Sequence, residues 1–261
     1  MADLLTSHGI DAIDIAPGKY FPDFAKAADR DIQKVKEWWA ARNIEITGMQ
    51  ALLFGTKGLN VFGSSETRVR LLAHLRDVCR IGGRLGAPRV VFGSPKNRDR
   101  EGLSDAQVWD IAVPFFRDVG DIAHSFGVTV CLEPNPKSYG ANFMTTAEET
   151  SAVVRAVDHS AIRMQFDTGA LTINGEQPDR VLDECAALIG HVHASEPGLV
   201  PLGDGGTDHN KMSSALRRYL PAHVVSIEMV ATMNEPHVQS IARAITVAMN
   251  AYGDGCRESA A

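Results

Sequence analysis

The sequence predicts an α/β fold: a TIM-type (β/α) barrel with seven recognisable strands, in which the first of the usual eight strands is missing. Three observations lead to this prediction: short apolar strands alternate with amphipathic helices, no linker divides the chain, and the chain opens inside a helix. Such alternation is typical of parallel βα units. A closed barrel needs one more strand ahead of that helix. An open doubly wound sheet competes, but no glycine-rich dinucleotide or phosphate loop follows the first strand.

The first half of the chain holds four predicted helices and four predicted strands. In order, these are a helix at 1–8, a strand at 10–16, a helix at 24–42, a strand at 44–54, a helix at 65–85, a strand at 89–93, a helix at 104–126 and a strand at 128–132. The strands are apolar runs bounded by glycine or proline, and the helices carry apolar stripes. In helix 24–42 the stripe consists of Ile32, Val35, Trp38 and Trp39. Ser64 or Ser65 is placed to cap helix 65–85, and Ser104 with Gln107 fits a capping box.

The second half continues the same alternation. In order, we predict a helix at 146–157, a strand at 162–167, a helix at 179–188, a strand at 189–194, a helix at 209–220, a strand at 224–229 and a helix at 236–252. Thr168 and Gly169 are expected to form a turn, and Asp208 is expected to cap the helix after it. We interpret residues 1–261 as one domain with a frayed tail at 253–261.

The composition fits an ordinary globular protein of 261 residues, with 44% hydrophobic and 22% charged residues. A net charge of −6 argues against a nucleic-acid partner, because such proteins normally carry a basic surface. The four cysteines form no CxxC pair, and we see neither a signal-peptide pattern nor an apolar run long enough to cross a membrane. We therefore expect a reduced, cytoplasmic protein with no membrane segment.

The last four strands end in ionisable side chains that suit a metal ion. These residues are Glu133, Asp167, His193 and Glu228. In a parallel barrel all strand carboxyl ends open on one face, so the four side chains converge. Three carboxylates cannot all stay ionised together without a cation. The set predicts one divalent ion, with Mn²⁺ or Mg²⁺ favoured and Co²⁺, Zn²⁺ or Fe²⁺ possible.

Each of these residues also has a simpler structural explanation when it is taken alone. A single carboxylate at a strand end is more typical of a helix cap or a loop ligand. His191 and His193 lie on the same face of their strand, so either of them fits a hydrogen-bonded core histidine. The coincidence of four such residues on consecutive strands is what favours the metal site.

Four short motifs make the chain resemble the xylose isomerase-like TIM-barrel superfamily, and within it the sugar phosphate isomerase/epimerase group that includes the ketose 3-epimerases. The motifs are Leu-Glu-Pro-Asn-Pro at 132–136, Phe-Asp-Thr-Gly at 166–169, His-Ala-Ser-Glu-Pro at 193–197 and Ser-Ile-Glu-Met at 226–229. The resemblance runs from Gly9 through nearly the whole chain. It implies the same four metal ligands, and it implies that the missing strand is the family's first.

The resemblance also implies a mechanism in which Glu133 and Glu228 face each other across the substrate. One glutamate removes a proton from the carbon next to a metal-polarised carbonyl, and the other returns a proton to the opposite face. We therefore expect a metal-dependent isomerase or epimerase that acts on a sugar, a sugar phosphate or a related polyol.

Three positions depart from the pattern of the sugar-epimerizing members. Tyr139, Ala170 and Leu199 stand where those members usually carry glutamate, histidine and arginine. In the family these positions hold the substrate, so the resemblance implies that this chain's substrate is not a simple free ketose.

Further polar residues near the strand ends are expected to bind the substrate. They are Gln50, Lys96, Asn135, Lys137, Glu196 and His209. The basic loop 94–100 is suited to a phosphate or a carboxylate, although a solvated loop explains it equally well.

Three other functions remain open. The same metal site would serve a dehydratase, as in the family's inosose and dehydroshikimate dehydratases, and a barrel without activity would bind a metabolite. Phosphodiester cleavage is disfavoured by the acidic balance and by a ligand set for one metal only. Because a missing strand exposes two sheet edges, we also expect a homo-oligomer.

Overall fold

The computed structural model describes residues 1–253, which form one parallel sheet of seven strands with helices around it. The strands are β1 (Ala12–Ile15), β2 (Glu45–Met49), β3 (Arg89–Phe92), β4 (Thr129–Leu132), β5 (Ile162–Asp167), β6 (Ile189–Ala194) and β7 (Val225–Ile227). Each strand pairs in parallel with the next, in the order β1 to β7. The prediction of a TIM-type barrel with seven strands is confirmed. Within residues 1–253 no pairing joins β7 to β1, so the barrel is nearly closed with a seam between these strands.

Nine α-helices lie within the described residues. They are α1 (Ala2–Ser7), α2 (Asp29–Ala40), α3 (Ser65–Leu85), α4 (Asp105–Ser125), α5 (Ala147–Val157), α6 (Thr168–Asn174), α7 (Pro178–Cys185), α8 (His209–Tyr219) and α9 (His237–Tyr252). Ser64 caps α3, and Ser104 with Gln107 forms the predicted capping box of α4. Asp208 caps α8, where its Oδ1 accepts a hydrogen bond from the Lys211 N–H at 3.0 Å.

The predicted helix 24–42 begins too early and its apolar stripe is too wide. Residues Phe24–Lys26 form a separate 3₁₀ turn, and α2 starts only at Asp29. Trp38 is 47% exposed. It packs edge to face on Trp39 and lies under the Arg42 guanidinium, 3.8 Å from the ring centroid, so both of these partners are neighbours in the chain. The stripe that faces the core therefore does not include Trp38.

Two other sequence predictions need correction. The strand predicted at 44–54 ends at Met49, because Ala51 adopts the left-handed conformation and turns the chain into a loop. The turn predicted at Thr168 is the first residue of α6, whose N-terminus is capped by Asp167. The predicted tail at 253–261 lies, beyond Gly253, outside the described residues.

The core lies between the sheet and the helices that surround it. Phe92 of β3 is fully buried and packs edge to face on Phe116 of α4, with ring centroids 5.5 Å apart. Leu132 and Phe166, the apolar neighbours of two candidate ligands, are also fully buried. This packing fixes the carboxyl ends of the central strands, where the candidate site lies. No helix within residues 1–253 has the length and apolar character that a membrane span requires.

Candidate metal centre

The structure brings the four predicted metal ligands together. Glu133 follows β4, Asp167 ends β5, His193 lies in β6, and Glu228 follows β7. One donor atom from each of these side chains lies within 4.8 Å of the others. The carboxyl ends of four consecutive parallel strands thus meet at one mouth of the barrel.

Glu133 is held by contacts on both its main chain and its side chain. Its carbonyl oxygen accepts a hydrogen bond from Arg98 Nη1 at 2.8 Å, and its Oε2 accepts one from Asn135 Nδ2 at 2.8 Å. Gly93 leaves the space that the carboxylate occupies, since a Cβ at this position would overlap it. Burial and the nearby carboxylates of Glu228 and Asp167 raise the pKa of Glu133 to about 8.

Asp167 serves both as a helix cap and as a member of the cluster. Its Oδ1 accepts a hydrogen bond from the Ala170 N–H at 2.7 Å, which caps α6. Ser195 Oγ lies 2.9 and 2.8 Å from the two carboxylate oxygens. Burial and the charge of Glu228 raise the pKa of Asp167 to about 6.

His193 is almost completely buried and contacts a carboxylate at each ring nitrogen. Nδ1 lies 3.1 Å from Glu228 Oε2, and Nε2 lies 3.3 Å from Asp14 Oδ2. Burial alone would lower the pKa of His193, but the charge of Glu228 and the hydrogen bonds to both carboxylates raise it well above its ordinary value.

This donor set fits a divalent metal ion. Three carboxylates that meet in a buried site repel one another, and the raised pKa values of Glu133 and Asp167 reflect this repulsion. A divalent cation removes the repulsion, and carboxylate oxygens with one imidazole nitrogen suit Mn²⁺, Zn²⁺ and similar ions. The candidate metal centre therefore consists of Glu133, Asp167, His193 and Glu228.

A cavity of about 270 Å³ opens directly onto this centre. Its polar lining comprises Gln50, Ser94, Glu133, Asn135, Tyr139, Asp167 and Glu228. The remaining wall is largely apolar and includes the segment 51–54, Val91, Pro134 and Pro136. Tyr139, Ala170 and Leu199, the three positions that depart from the epimerase pattern, all line this cavity. The departures thus lie where a substrate would bind.

Two of the six predicted substrate-binding residues reach the cavity. Gln50 and Asn135 line it, and within the described part of the chain Gln50 Oε1 is buried without a hydrogen-bond partner. Lys96 and Lys137 are exposed and lie outside the lining. The 3₁₀ turn Pro95–Arg98 directs Lys96 to solvent and Arg98 into the protein.

The structure also does not bring Glu196 and His209 to the cavity. The buried Glu196 carboxylate accepts hydrogen bonds from the N–H groups of Gly203 and Thr207 and from His209 Nε2, at 2.7, 2.8 and 3.1 Å. His209 Nδ1 lies 2.7 Å from the Tyr252 hydroxyl. These contacts hold the glycine-rich loop, residues 202–208, against α8 and α9.

Sequence reasoning missed Asp14, which contacts two histidines of β6. Burial alone would raise the pKa of Asp14, but the hydrogen bonds from His191 and His193 outweigh it and hold this pKa below its usual range. The signal in the sequence was an aspartate flanked by Ile13 and Ile15 in a short apolar strand. A charge at such a position needs a partner inside the protein.

The fold and the sequence together define the family. The profile of the xylose isomerase-like TIM barrel family matches residues 2–246, and the chain belongs to that family. The resemblance drawn from the four motifs is thereby confirmed.

The curated relatives that match parts of the chain include an epimerase and a dehydratase. A D-psicose 3-epimerase of Ruminiclostridium cellulolyticum is 27% identical over 88 residues, which cover 34% of this chain and 30% of that protein. An inosose dehydratase of Clostridium beijerinckii is 24% identical over 178 residues, which cover 64% of this chain and 55% of that protein. The chain therefore spans about a third and about half of the length of these relatives.

Solved structures resemble the chain over nearly its whole length. A crystal structure of a D-psicose 3-epimerase in the presence of D-fructose has a TM-score of 0.80 at 16% identity, and the match covers 97% of this chain and 92% of that one. An IolI protein with a bound zinc atom has a TM-score of 0.74 at 18% identity, with 96% and 91% of the two chains covered. Identities this low establish the shared fold, whereas the activity has to be argued from the site.

Proposed function

We propose that this protein is a divalent-metal-dependent epimerase or isomerase of a carbohydrate, with Glu133 and Glu228 as the two groups that transfer the proton. The observation that carries the proposal is the meeting of these two glutamates with Asp167 and His193 in one cluster, whose three carboxylates line a single cavity. The epimerases among the similar proteins support the same class of reaction.

The two glutamates come from different strands, β4 and β7, and both line the cavity. When bound, a divalent ion supplies Lewis-acid polarisation of the substrate carbonyl. One glutamate takes the proton from the neighbouring carbon, and the other delivers a proton to the opposite face of that carbon. Asn135 orients Glu133 through its hydrogen bond to Oε2. Gln50 Oε1, which is buried and unpaired within residues 1–253, accepts a hydrogen bond from a substrate hydroxyl.

The lining of the cavity favours an uncharged sugar or polyol over a sugar phosphate. Within the described residues it includes no lysine or arginine, while three carboxylates belong to it. A phosphate in such a cavity would lack the cationic partner that proteins usually provide for it. Lys96 and Lys137, the two lysines among the predicted substrate-binding residues, face the solvent.

A dehydratase is the second candidate, and the inosose dehydratase among the relatives favours it. The first step would be the same removal of a proton next to a carbonyl. The two reactions differ in their second step, because a dehydratase expels a β-hydroxyl group where an epimerase returns the proton.

Exchange with deuterated water tests the proposal. The Mn²⁺-loaded protein is incubated in D₂O with ketoses, ketose phosphates and inososes, and the products are followed by NMR. We expect deuterium at the carbon next to the carbonyl of an unphosphorylated substrate, and loss of this exchange in Glu133→Gln and Glu228→Gln. Glu148→Gln, a change at an exposed glutamate of α5, is the matched control. Loss of water from the substrate would assign the dehydratase reaction, and exchange that survives both substitutions would contradict the role of the glutamates.

The buried cysteines bear on the cellular compartment of the protein. Cys79, Cys131 and Cys185 are free and buried. Free thiols are typical of reducing compartments, so we propose a cytoplasmic location.

A further inference from the structure

A second group of ionisable side chains lies one layer deeper in the barrel than the candidate metal centre. Asp14 Oδ2 lies 2.5 Å from His191 Nε2 and 3.3 Å from His193 Nε2, and all three side chains are at most 3% exposed. A carboxylate can only accept hydrogen bonds, so both histidines donate Nε2–H to the same oxygen. Residues from β1 and β6, which lie far apart in the strand order, are thereby joined inside the barrel.

We propose that Asp14 is a positioning residue, which holds His193 in the Nε2–H form and so directs the lone pair of Nδ1 to the metal ion. The inference rests on the metal centre proposed above. Nδ1 of His193 is the nitrogen that lies beside Glu228, 3.1 Å from its Oε2, on the side of the other candidate ligands. Histidines that bind metals commonly donate their second N–H to a carboxylate, which fixes both the tautomer and the orientation of the ring.

Asp14, His191 and His193 are residue types that also form metal sites, but the chemistry favours hydrogen bonds between them. Asp14, His191 and His193 each offer a donor atom within 4.8 Å of the others. A second ion bound there would take Nε2 of His193 while the four-residue centre takes Nδ1. One imidazole can bind ions at both nitrogens only after it has lost both ring protons, whereas a neutral ring offers a single lone pair. Asp14 therefore acts on the metal centre through His193.

The local structure of β1 and β2 is built around the Asp14 carboxylate. A β-bulge shifts the register between Ile13 and Asp14, which places Asp14 opposite Gly48. A Cβ at Gly48 would overlap the Asp14 carboxylate, so glycine leaves the space that this side chain fills. Thr47 Oγ1 lies 3.2 Å from Oδ1, within reach to donate a hydrogen bond. The β-bulge, Gly48 and Thr47 thus all accommodate or contact the buried Asp14 carboxylate.

Metal affinity measured without substrate tests the proposal. Metal-free wild-type protein, Asp14→Asn and the control Asp11→Asn, a change at an exposed residue of the same segment, are titrated with Co²⁺ and followed by absorption. We expect one equivalent to bind the wild type and Asp11→Asn alike. The affinity of Asp14→Asn should fall by about 10- to 100-fold, with a changed Co²⁺ spectrum. In the zinc-loaded wild type, ¹⁵N NMR should show the proton of His193 on Nε2.

The possible outcomes separate the role of Asp14 from the existence of the metal centre. Wild-type affinity and an unchanged spectrum in folded Asp14→Asn would overturn the role of Asp14 while leaving the metal centre intact. Two equivalents in the wild type and one in Asp14→Asn would make Asp14 a ligand instead. A wild type that binds no divalent ion would contradict the metal centre itself. If Asp14→Asn does not fold, Gly48→Ala displaces the same carboxylate without removing it, and an unchanged affinity in that variant would equally overturn the proposal.

Discussion

Glu133 is a partly buried glutamate that lies close to other negative charges and is tightly packed. Its carboxylate lies beside two others, and Gly93 and Asn135 shape the space and the hydrogen bond that hold it. In the metal-free protein its pKa is raised to about 8, so the group keeps a proton under conditions in which an exposed glutamate has lost it. A carboxylate of this kind lowers the stability of the folded protein in the absence of metal, and it is suited to proton transfer once a cation is bound.

The metal-free protein should lose stability as the pH rises from about 5 to about 8. The folded state holds protons on Glu133 and Asp167 that the unfolded state has already released, and His193, with its raised pKa, contributes in the same direction. Metal binding requires the deprotonated ligands, so the stabilisation by Mn²⁺ should grow over the same range. Thermal unfolding with chelator or with Mn²⁺ measures both trends. The pH dependence should be weaker in Glu133→Gln, and an equal slope in that variant would contradict the assignment.

Substitution of Gly93 should disable the metal centre although no ligand is changed. In Gly93→Ala the new Cβ overlaps the Glu133 carboxylate and displaces it, so we expect metal affinity to fall at least about tenfold. Gly18→Ala is the matched control, because a Cβ at Gly18 meets no neighbouring atom within 4 Å. Isothermal titration with Mn²⁺ measures the effect, and equal affinities in the two variants would refute this role of Gly93.

At the scale of the elements, the sequence predicted each strand because strand signals here are local. Short runs rich in apolar residues, followed within three positions by Gly169 or Pro197, define β5 and β6 to the residue. Helix α6 escaped prediction because its sequence, Thr-Gly-Ala-Leu-Thr-Ile-Asn, is a weak helix former and its start depends on the Asp167 cap and on Ser195. The role of Asp14 was equally hidden, since its partners lie 177 and 179 residues away.

The direction of side chains in loops was the other feature that sequence spacing did not reveal. Glu196 follows β6 closely, yet its carboxylate turns away from the cavity and holds the backbone of the glycine-rich loop. Lys96 lies two residues from Arg98, but the 3₁₀ turn places one outside and the other inside. Loop hydrogen bonds decide such directions, and they form only in the folded chain.

Glu196→Ala should loosen the loop that follows β6. The substitution leaves the N–H groups of Gly203 and Thr207 without their acceptor, and the loss at Thr207, where the N–H is buried, costs about 1–3 kcal/mol. We expect a lower free energy of unfolding and faster hydrogen exchange at 203–207, with metal affinity unchanged. Glu148→Ala, on the surface of α5, is the control. Unchanged exchange in the loop would contradict this structural role, and a rise in KM without any loss of stability would return Glu196 to the substrate site.

At the scale of the whole molecule, the barrel is not closed at the seam between β1 and β7. Both strands have an unpaired edge there within residues 1–253. Large apolar side chains that precede or follow β7 in the sequence are exposed, namely Val224, Val230, Met233 and Val238. Unpaired edges and exposed apolar groups commonly mark a surface that another chain covers.

We expect a homo-oligomer that covers this seam. Light scattering coupled to size exclusion should give a mass above that of one 28.2 kDa chain. Met233→Asp, at a residue that is 99% exposed, should shift the mass towards the monomer, because a buried charge disfavours the interface. Val69→Asp, at an exposed residue of α3, is the control and should leave the mass unchanged. A monomer at every wild-type concentration would contradict the expectation.

The central claim is that one divalent ion binds at the carboxyl ends of β4 to β7. Anomalous diffraction from crystals soaked in Mn²⁺ tests it most directly. We expect one peak, about 2.0–2.3 Å from oxygens of Glu133, Asp167 and Glu228 and from Nδ1 of His193. A peak bound to Asp14 and His191 instead, or no peak at this mouth of the barrel, would contradict the claim.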